Sequence, residues 1–156
     1  GDLQHLDSLI ENAIGGSGRD RLIGNQADNN LTGNGRGDKI VGGDGSDHLM
    51  GGTGIDILAG GNGADFFVFI SALDSGVGKR RDWITDFNSS QGDKIDFTQL
   101  EAATSTTFQF IEADPFAAAG DIRHANGVLS IDINGDAVAD FQIRVAGTLQ
   151  GTDFIL

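Results

Sequence analysis

From Gly15 to Val68 the chain repeats every nine residues, six times over, with no insertion or deletion. The units are GGSGRDRLI, GNQADNNLT, GNGRGDKIV, GGDGSDHLM, GGTGIDILA and GGNGADFFV. Position eight is always apolar (Leu22, Leu31, Ile40, Leu49, Leu58, Phe67), and position six is an acid or its amide (Asp20, Asn29, Asp38, Asp47, Asp56, Asp65). A strict short period requires a stacked solenoid, because no single unit can bury its apolar residue alone. Oxygen ligands recurring on that period imply a row of hard-cation sites, which makes Ca²⁺ the expected ligand.

The first six residues of each unit read as a turn, since glycine accepts the positive φ angles that tight turns need. The last three read as a short strand, with position eight inward and positions seven and nine outward. Two units then make one coil, and equivalent residues on one edge sit about 4.8 Å apart. Two carboxylates about 5 Å apart repel by roughly 3 kcal/mol at an effective dielectric of 20. A Ca²⁺ between them reverses that sign and takes its remaining oxygens from turn carbonyls. The inward apolar side chains recover far less than the entropy of ordering the repeat, so the roll is expected to be largely disordered without calcium.

The remaining composition narrows the alternatives. There is no cysteine, so disulfides and thiolate metal sites are excluded. No apolar run reaches the eighteen residues of a membrane span, and the N-terminus lacks the pattern of a secretory signal peptide. With 10 basic and 23 acidic residues, nucleic acid and anionic membranes are disfavoured as partners, and membrane insertion is not expected. No H-E-x-x-H or G-x-S-x-G occurs, and His5, His48 and His124 are isolated. His48 at an outward position reads as a solvated side chain rather than a zinc ligand. No catalytic residue is assigned, and the chain reads as a non-enzymatic module.

The repeats resemble the RTX nonapeptide GGxGxDxUx, a calcium-binding β-helix repeat. Three units (GGDGSDHLM, GGTGIDILA, GGNGADFFV) fit every fixed position. The lead-in IENAIGGSG, the exit ADFFVF with Asp74-Ser75, the stretch DWITDF…GDKIDF and the ending TDFIL extend the likeness to the C-terminal half of serralysin-type secreted metalloproteases.

That resemblance implies ions held between turns eighteen residues apart, by carbonyls from positions two and four of one turn, positions one and three of the next, and both position-six side chains. One implied site joins Gly16, Gly18 and Asp20 to Gly33, Gly35 and Asp38. A second joins Asn25, Ala27 and Asn29 to Gly42, Asp44 and Asp47. A third joins Asn34, Arg36 and Asp38 to Gly51, Thr53 and Asp56. A fourth joins Gly43, Gly45 and Asp47 to Gly60, Asn62 and Asp65. Asp74, in phase after Asp65, is implied to share a fifth ion with Gly52, Gly54 and Asp56. Glu11, in phase before Asp20, is implied to close the other end with Gly24, Gln26 and Asn29. About four to six calcium ions are therefore expected. Arg36 stands where the pattern has glycine and costs about 1 kcal/mol or more if its φ is positive. Asn29 in place of an acid lowers the charge of its sites.

Asp132-Ile-Asn134-Gly-Asp136 with Asp140 resembles the start of an EF-hand loop, but glycine is at position four and position twelve is Ile143. A hairpin turn at Asn134-Gly135 between LSIDI and DFQIRV explains the same residues and is the preferred reading. Lys79-Arg80-Arg81 reads as a solvated loop. TFQFI, VLSIDI and FQIRV alternate at period two and read as sheet core. Position seven changes from Arg21, Asn30, Lys39 and His48 to Ile57 and Phe66, so the late coils are expected to need a cover from the C-terminal half.

The expected architecture is an all-β, continuous domain. Residues 1–14 are the lead-in, 15–74 form a parallel β-roll, and 75–156 form an antiparallel, β-rich C-terminal cap. The resemblance further implies a secreted bacterial protein exported by type I secretion machinery, with an N-terminal passenger and a C-terminal signal at Asp153, Phe154, Ile155 and Leu156. Four terminal residues are expected to carry little packing energy. An alternative is an extracellular glycan-binding or adhesin module, since similar rolls accompany alginate epimerases. Few aromatics are available for sugar stacking, Trp83 being the single tryptophan.

Overall fold

The computed structural model describes residues 11–156. Residues 1–10 of the expected lead-in, and with them His5, lie outside the described residues. The repeat forms β1 (Asn12–Ile14), β2 (Arg21–Ile23), β3 (Asn30–Gly35), β4 (Lys39–Asp44), β5 (His48–Thr53), β6 (Ile57–Asn62) and β7 (Phe66–Val68). Odd strands stack in one parallel sheet and even strands in another. Leu31 pairs with Leu49 and Ile40 with Leu58, so partners are eighteen residues apart and two units make one coil. Position eight points inward as its alternation predicts: Ile40, Leu49, Leu58 and Phe67 are fully buried. Leu22, in the first coil, is only partly buried.

The coil does not stop where the regular repeat stops. β8 (Asp82–Ile84) pairs with β6, setting Trp83 opposite Ile57, and β9 (Lys94–Asp96) pairs with β7, setting Lys94 opposite Phe66. Asp-Trp-Ile and Asp-Lys-Ile therefore repeat positions six to eight, with extra residues looped out before each. A short helix, α1 (Thr98–Thr104), follows and buries Leu100. Beyond it come β10 (Gln109–Phe110), β11 (Asp121–Ala125), β12 (Val128–Asp132), β13 (Phe141–Val145) and β14 (Phe154–Ile155).

β11, β12 and β13 pair antiparallel, whereas β13 joins β8, β10 joins β11 and β14 joins β9 in parallel. The C-terminal half thus lengthens both sheets of the roll end-on, giving among the described residues a six-stranded and an eight-stranded sheet. A ring cluster of Phe69, Phe97, Phe108, Phe141 and Phe154 fills the space between them.

Four sequence expectations change. The late coils are not covered on their outer faces: Ile57 stays exposed, and Phe66 is sheltered by stacking on His48, with ring centroids 4.5 Å apart. The end-on growth of the sheets removes the need for a cover, because it is the inward row that requires continuation. The tail is not peripheral: Phe154 is buried against Phe97 and Phe110, and its strand pairs with β9. The β12–β13 hairpin is present, but its loop runs from 133 to 140 and is not the two-residue turn at Asn134-Gly135. In that loop Asp132 accepts from the Gly135 and Ala137 amides, and Asp140 from Ile133 and Asn134, so these acids cap backbone instead of forming an EF-hand-like shell. Finally, α1 lies where strands were expected.

Candidate metal centre

Position six of every coil occupies the same place at the mouth of its turn. Each backbone amide there donates to the Oδ1 of the equivalent residue one coil on. On one edge Asp20 donates to Asp38 (2.7 Å), Asp38 to Asp56 (2.7 Å) and Asp56 to Asp82 (2.8 Å). On the other, Asn29 donates to Asp47 (2.7 Å), Asp47 to Asp65 (2.9 Å) and Asp65 to Asp93 (3.1 Å). Two ladders of carboxylates therefore run the length of the roll, each fixed by one oxygen.

The second oxygen is the informative one. Oδ2 of Asp38, Asp47, Asp56, Asp65 and Asp82 is buried without a hydrogen-bond partner. An unpaired buried carboxylate oxygen is costly, and here the cost recurs coil after coil, at Asp38, Asp56 and Asp82 on one ladder and at Asp47 and Asp65 on the other. Position one of the turn faces this oxygen. A Cβ at Gly33 would run into Asp38 Oδ2 and lie 2.6 Å from the Gly51 carbonyl. A Cβ at Gly42 would meet Asp47 Oδ2 and lie 2.5 Å from the Gly60 carbonyl. Only glycine leaves that space free, so carboxylate and carbonyl oxygens converge there.

Burial and mutual repulsion act on the same groups. Desolvation, reinforced by neighbouring carboxylates, pushes Asp82 up to about 8 and Asp56 and Asp93 up to about 6 from an ordinary 3.8. Burial likewise raises Asp38, Asp47, Asp65 and Asp74. A divalent cation relieves both effects by supplying positive charge to the orphaned oxygens. Among the described residues no cluster of three or more His, Asp or Glu side chains could hold a metal by itself. The donors that converge are carboxylate and carbonyl oxygens, the hard set that suits calcium.

Stacking of the turns sets residues of successive coils against one another, within the first three expected sites (Gly16 with Gly35, Asn25 with Asp44, Asn34 with Thr53) and between neighbouring ones. Gly35 donates to the Gly16 carbonyl (3.3 Å) and Asp44 to the Asn25 carbonyl (2.9 Å). Side chains at Gly52 and Gly54 would collide with the Asn34 and Arg36 carbonyls, and Gly45 lies close over Ala27. Asn62 donates to Asp44 (2.8 Å), and Thr53 lies at 3.5 Å from the Asn34 carbonyl. Gly43 sits beneath Gly61 in the same manner. Asn34 and Arg36 both carry positive φ, at 78° and 69°, so Arg36 bears the strain its position implied.

The two end sites are arranged differently. Asp56 takes Asp82, not Asp74, as its ladder partner. Asp74 is buried nearby and caps the Ile70 and Ser71 amides through Oδ2. Glu11 keeps phase through its backbone, its carbonyl accepting from Asn30 (2.7 Å), but it is exposed. Asp82, Asp93 and Asp86 were not singled out by periodicity. Asp86 accepts from the Gly60 and Gly61 amides (3.0 Å each) and so clamps a turn of the roll. The signal was present in the triplets Asp-Trp-Ile and Asp-Lys-Ile, once residues are allowed to loop out between coils.

Asp47→Ala should release more calcium than Asp20→Ala, about two ions against one. Asp47 is buried between two stacked turns with its Oδ2 orphaned, whereas Asp20 Oδ2 is already bonded to the Gly16 amide in the first coil. Calorimetric stoichiometries equal in both variants would contradict the shared-ligand geometry.

The Peptidase M10 serralysin C terminal family matches residues 5–156. Among solved structures, the chain is similar to the solution structure of the AlgE6R3 subunit from the mannuronan C5-epimerase of Azotobacter vinelandii. The TM-score is 0.67 at 28% sequence identity, covering 90% of this chain and 80% of that one.

Proposed function

The chain belongs to the serralysin C-terminal family of calcium-binding, RTX-type β-rolls, and from that membership we propose that it is a non-catalytic module of a larger secreted protein, folded by calcium outside the cell. The observation that carries this reading is the row of buried, unpartnered Oδ2 atoms at Asp38, Asp47, Asp56, Asp65 and Asp82. Calcium-poor cytosol leaves those carboxylates in mutual repulsion, and the glycine-rich chain stays extended enough to thread a type I secretion channel. Millimolar calcium outside fills the turns, about four to six ions in all, and the roll closes.

Titration of the calcium-free chain followed by circular dichroism tests this. Strand signal should grow cooperatively with calcium and not with equal magnesium, which demands a smaller octahedral shell. A full strand signal without added divalent cation would overturn the reading.

Proton linkage supplies a second test. The ladder carboxylates have raised folded-state values, so metal-free folding is favoured below their ordinary 3.8 and loses that support as pH rises through about 6 and then about 8. The calcium-free chain should therefore hold more strand at pH 5 than at pH 8. Calcium affinity should move oppositely, rising over the same window as the competing protons leave. Titration calorimetry near neutral pH in buffers of different ionisation enthalpy should show proton release on binding. Affinity independent of pH would count against these ligands.

We also assign the export signal to the terminal Asp153–Leu156 segment. Leu156 is exposed while Phe154 is core, so Leu156→Ser should reduce export of a fused passenger through a cognate type I exporter while leaving the calcium midpoint unchanged. Undiminished export would remove Leu156 from the signal.

A further inference from the structure

Lys79, Arg80 and Arg81 are three consecutive cations in a chain that has only 10 basic residues. They close the segment 69–81, which loops out of the coil between β7 and β8. The loop is pinned at both ends. Near its start Asp74 is buried and caps the Ile70 and Ser71 amides. At its end the Ser75 hydroxyl accepts from the Asp82 amide (2.8 Å) and donates to the Gln142 carbonyl (2.6 Å), while Arg81 donates to the Gln142 side chain (3.1 Å).

Between those anchors the chain is lightly held. The Gly76 amide donates to the Arg80 carbonyl (3.2 Å), the Arg80 amide to the Val77 carbonyl (3.3 Å) and the Gly78 amide to the Gln142 side chain (2.9 Å). Two of these bonds are long, and none belongs to a sheet, so local opening costs little. Gly78, Lys79 and Arg80 are exposed, and among the described residues the Lys79 and Arg80 side chains form no hydrogen bond or ion pair. The other basic residues are shielded by the fold. Arg21, Lys39, Lys94, Arg123 and Arg144 lie in β2, β4, β9, β11 and β13, their backbone committed to neighbouring strands. Arg19 and Arg36 lie in stacked turns: the Asp20 amide that follows Arg19 donates to Asp38 (2.7 Å), and the Arg36 carbonyl is overlain by Gly54.

We propose that this loop is a processing site, cut after Lys79 or Arg80 by an endopeptidase of trypsin-like specificity once calcium has folded the roll. A protease cleft takes several residues in extended form, which a loosely held surface loop supplies and a paired strand does not. Water adds across the peptide bond, its hydroxyl going to the acyl carbon of Lys79 or Arg80 and its hydrogen to the released amine. The two pieces stay joined while calcium is present. β6 pairs with β8 and β7 with β9 across the cut, and the Asp56 and Asp65 amides donate to Asp82 and Asp93. Those ladders are the calcium frame. Once calcium is withdrawn, nothing tethers the pieces, and the roughly millimolar effective concentration that a short linker supplies is lost. Cleavage thereby turns a reversible calcium response into an irreversible one. The inference rests on the calcium-folding reading and is independent of the export assignment.

The test digests the full chain with a trace of trypsin in excess calcium, identifies the first fragments by mass spectrometry and follows folding by circular dichroism in the same samples. The first cut is expected after Lys79 or Arg80, with both fragments eluting together in size-exclusion chromatography until a calcium chelator separates them. On return of calcium to dilute samples, strand signal should recover fully in the uncut chain and incompletely in the nicked one. K79Q/R80Q should slow the first cut about tenfold without moving the calcium midpoint. A first cut of the folded chain in a strand or a stacked turn, a loop as resistant as the strands, an unchanged rate in K79Q/R80Q, fragments that part in calcium, or full recovery of the nicked chain would each overturn the proposal. Circular dichroism showing no calcium-induced folding would overturn the reading on which it rests, and the proposal with it.

Discussion

Leu58→Asp should abolish calcium-induced folding at ion concentrations that saturate the unmodified chain. Leu58 is fully buried and is paired on either side with Ile40 and Ile84, themselves fully buried. The substitution removes an apolar side chain and leaves a carboxylate in its place with no cation in reach. A penalty above about 5 kcal/mol is expected, comparable to the entire net stability of a small domain. Ile57→Asp is the control, one residue earlier on the outward face, and should still fold. Circular dichroism in saturating calcium separates the two. Strand signal in Leu58→Asp equal to that of the parent would mean that the inward row is not what holds the coils together.

Removing Asp153–Leu156 should destabilise the calcium-bound chain by about 3 kcal/mol or more, the cost of losing a large buried aromatic. Phe154 stacks on Phe97 with centroids 6.2 Å apart and contacts Phe110 at 5.0 Å. The Phe97 amide donates to the Ile155 carbonyl (2.9 Å), and Asp153 accepts from Gln150 (2.8 Å). The calcium midpoint, followed by circular dichroism, should shift to higher concentration. An unmoved midpoint would show that β14 is dispensable. This reverses what the position of these residues suggested: a chain end is usually loosely held, but this one is the last strand of a sheet. The truncation would therefore disturb folding along with the proposed export signal, which is why Leu156→Ser is the cleaner probe of that proposal.

What could be read without coordinates was whatever the period protects. Every coil needs an inward residue at position eight and an oxygen at position six, so Leu31 to Phe67 and Asp20 to Asp65 announce themselves. Register eighteen residues apart follows from two units per coil. Asp82 and Asp93 escaped because the chain loops out between Asp56 and Asp82 and between Asp65 and Asp93, which breaks the count but not the ladder. Asp74 kept the count and lost the ladder place, its Oδ2 being spent on the Ile70 and Ser71 amides. Helix α1 has one fully buried residue, Leu100, too little for an apolar period to show. The parallel docking of β13 and β14 was hidden for a different reason: alternation says that a strand has a buried face, but not which neighbour it takes.

The most direct test of the ladder as a calcium frame is anomalous diffraction from crystals grown in calcium. Peaks are expected within about 2.3–2.6 Å of Oδ2 of Asp38, Asp47, Asp56, Asp65 and Asp82. Those oxygens found without an adjacent ion, with calcium confined to surface carboxylates such as Asp114 and Asp136, would contradict it.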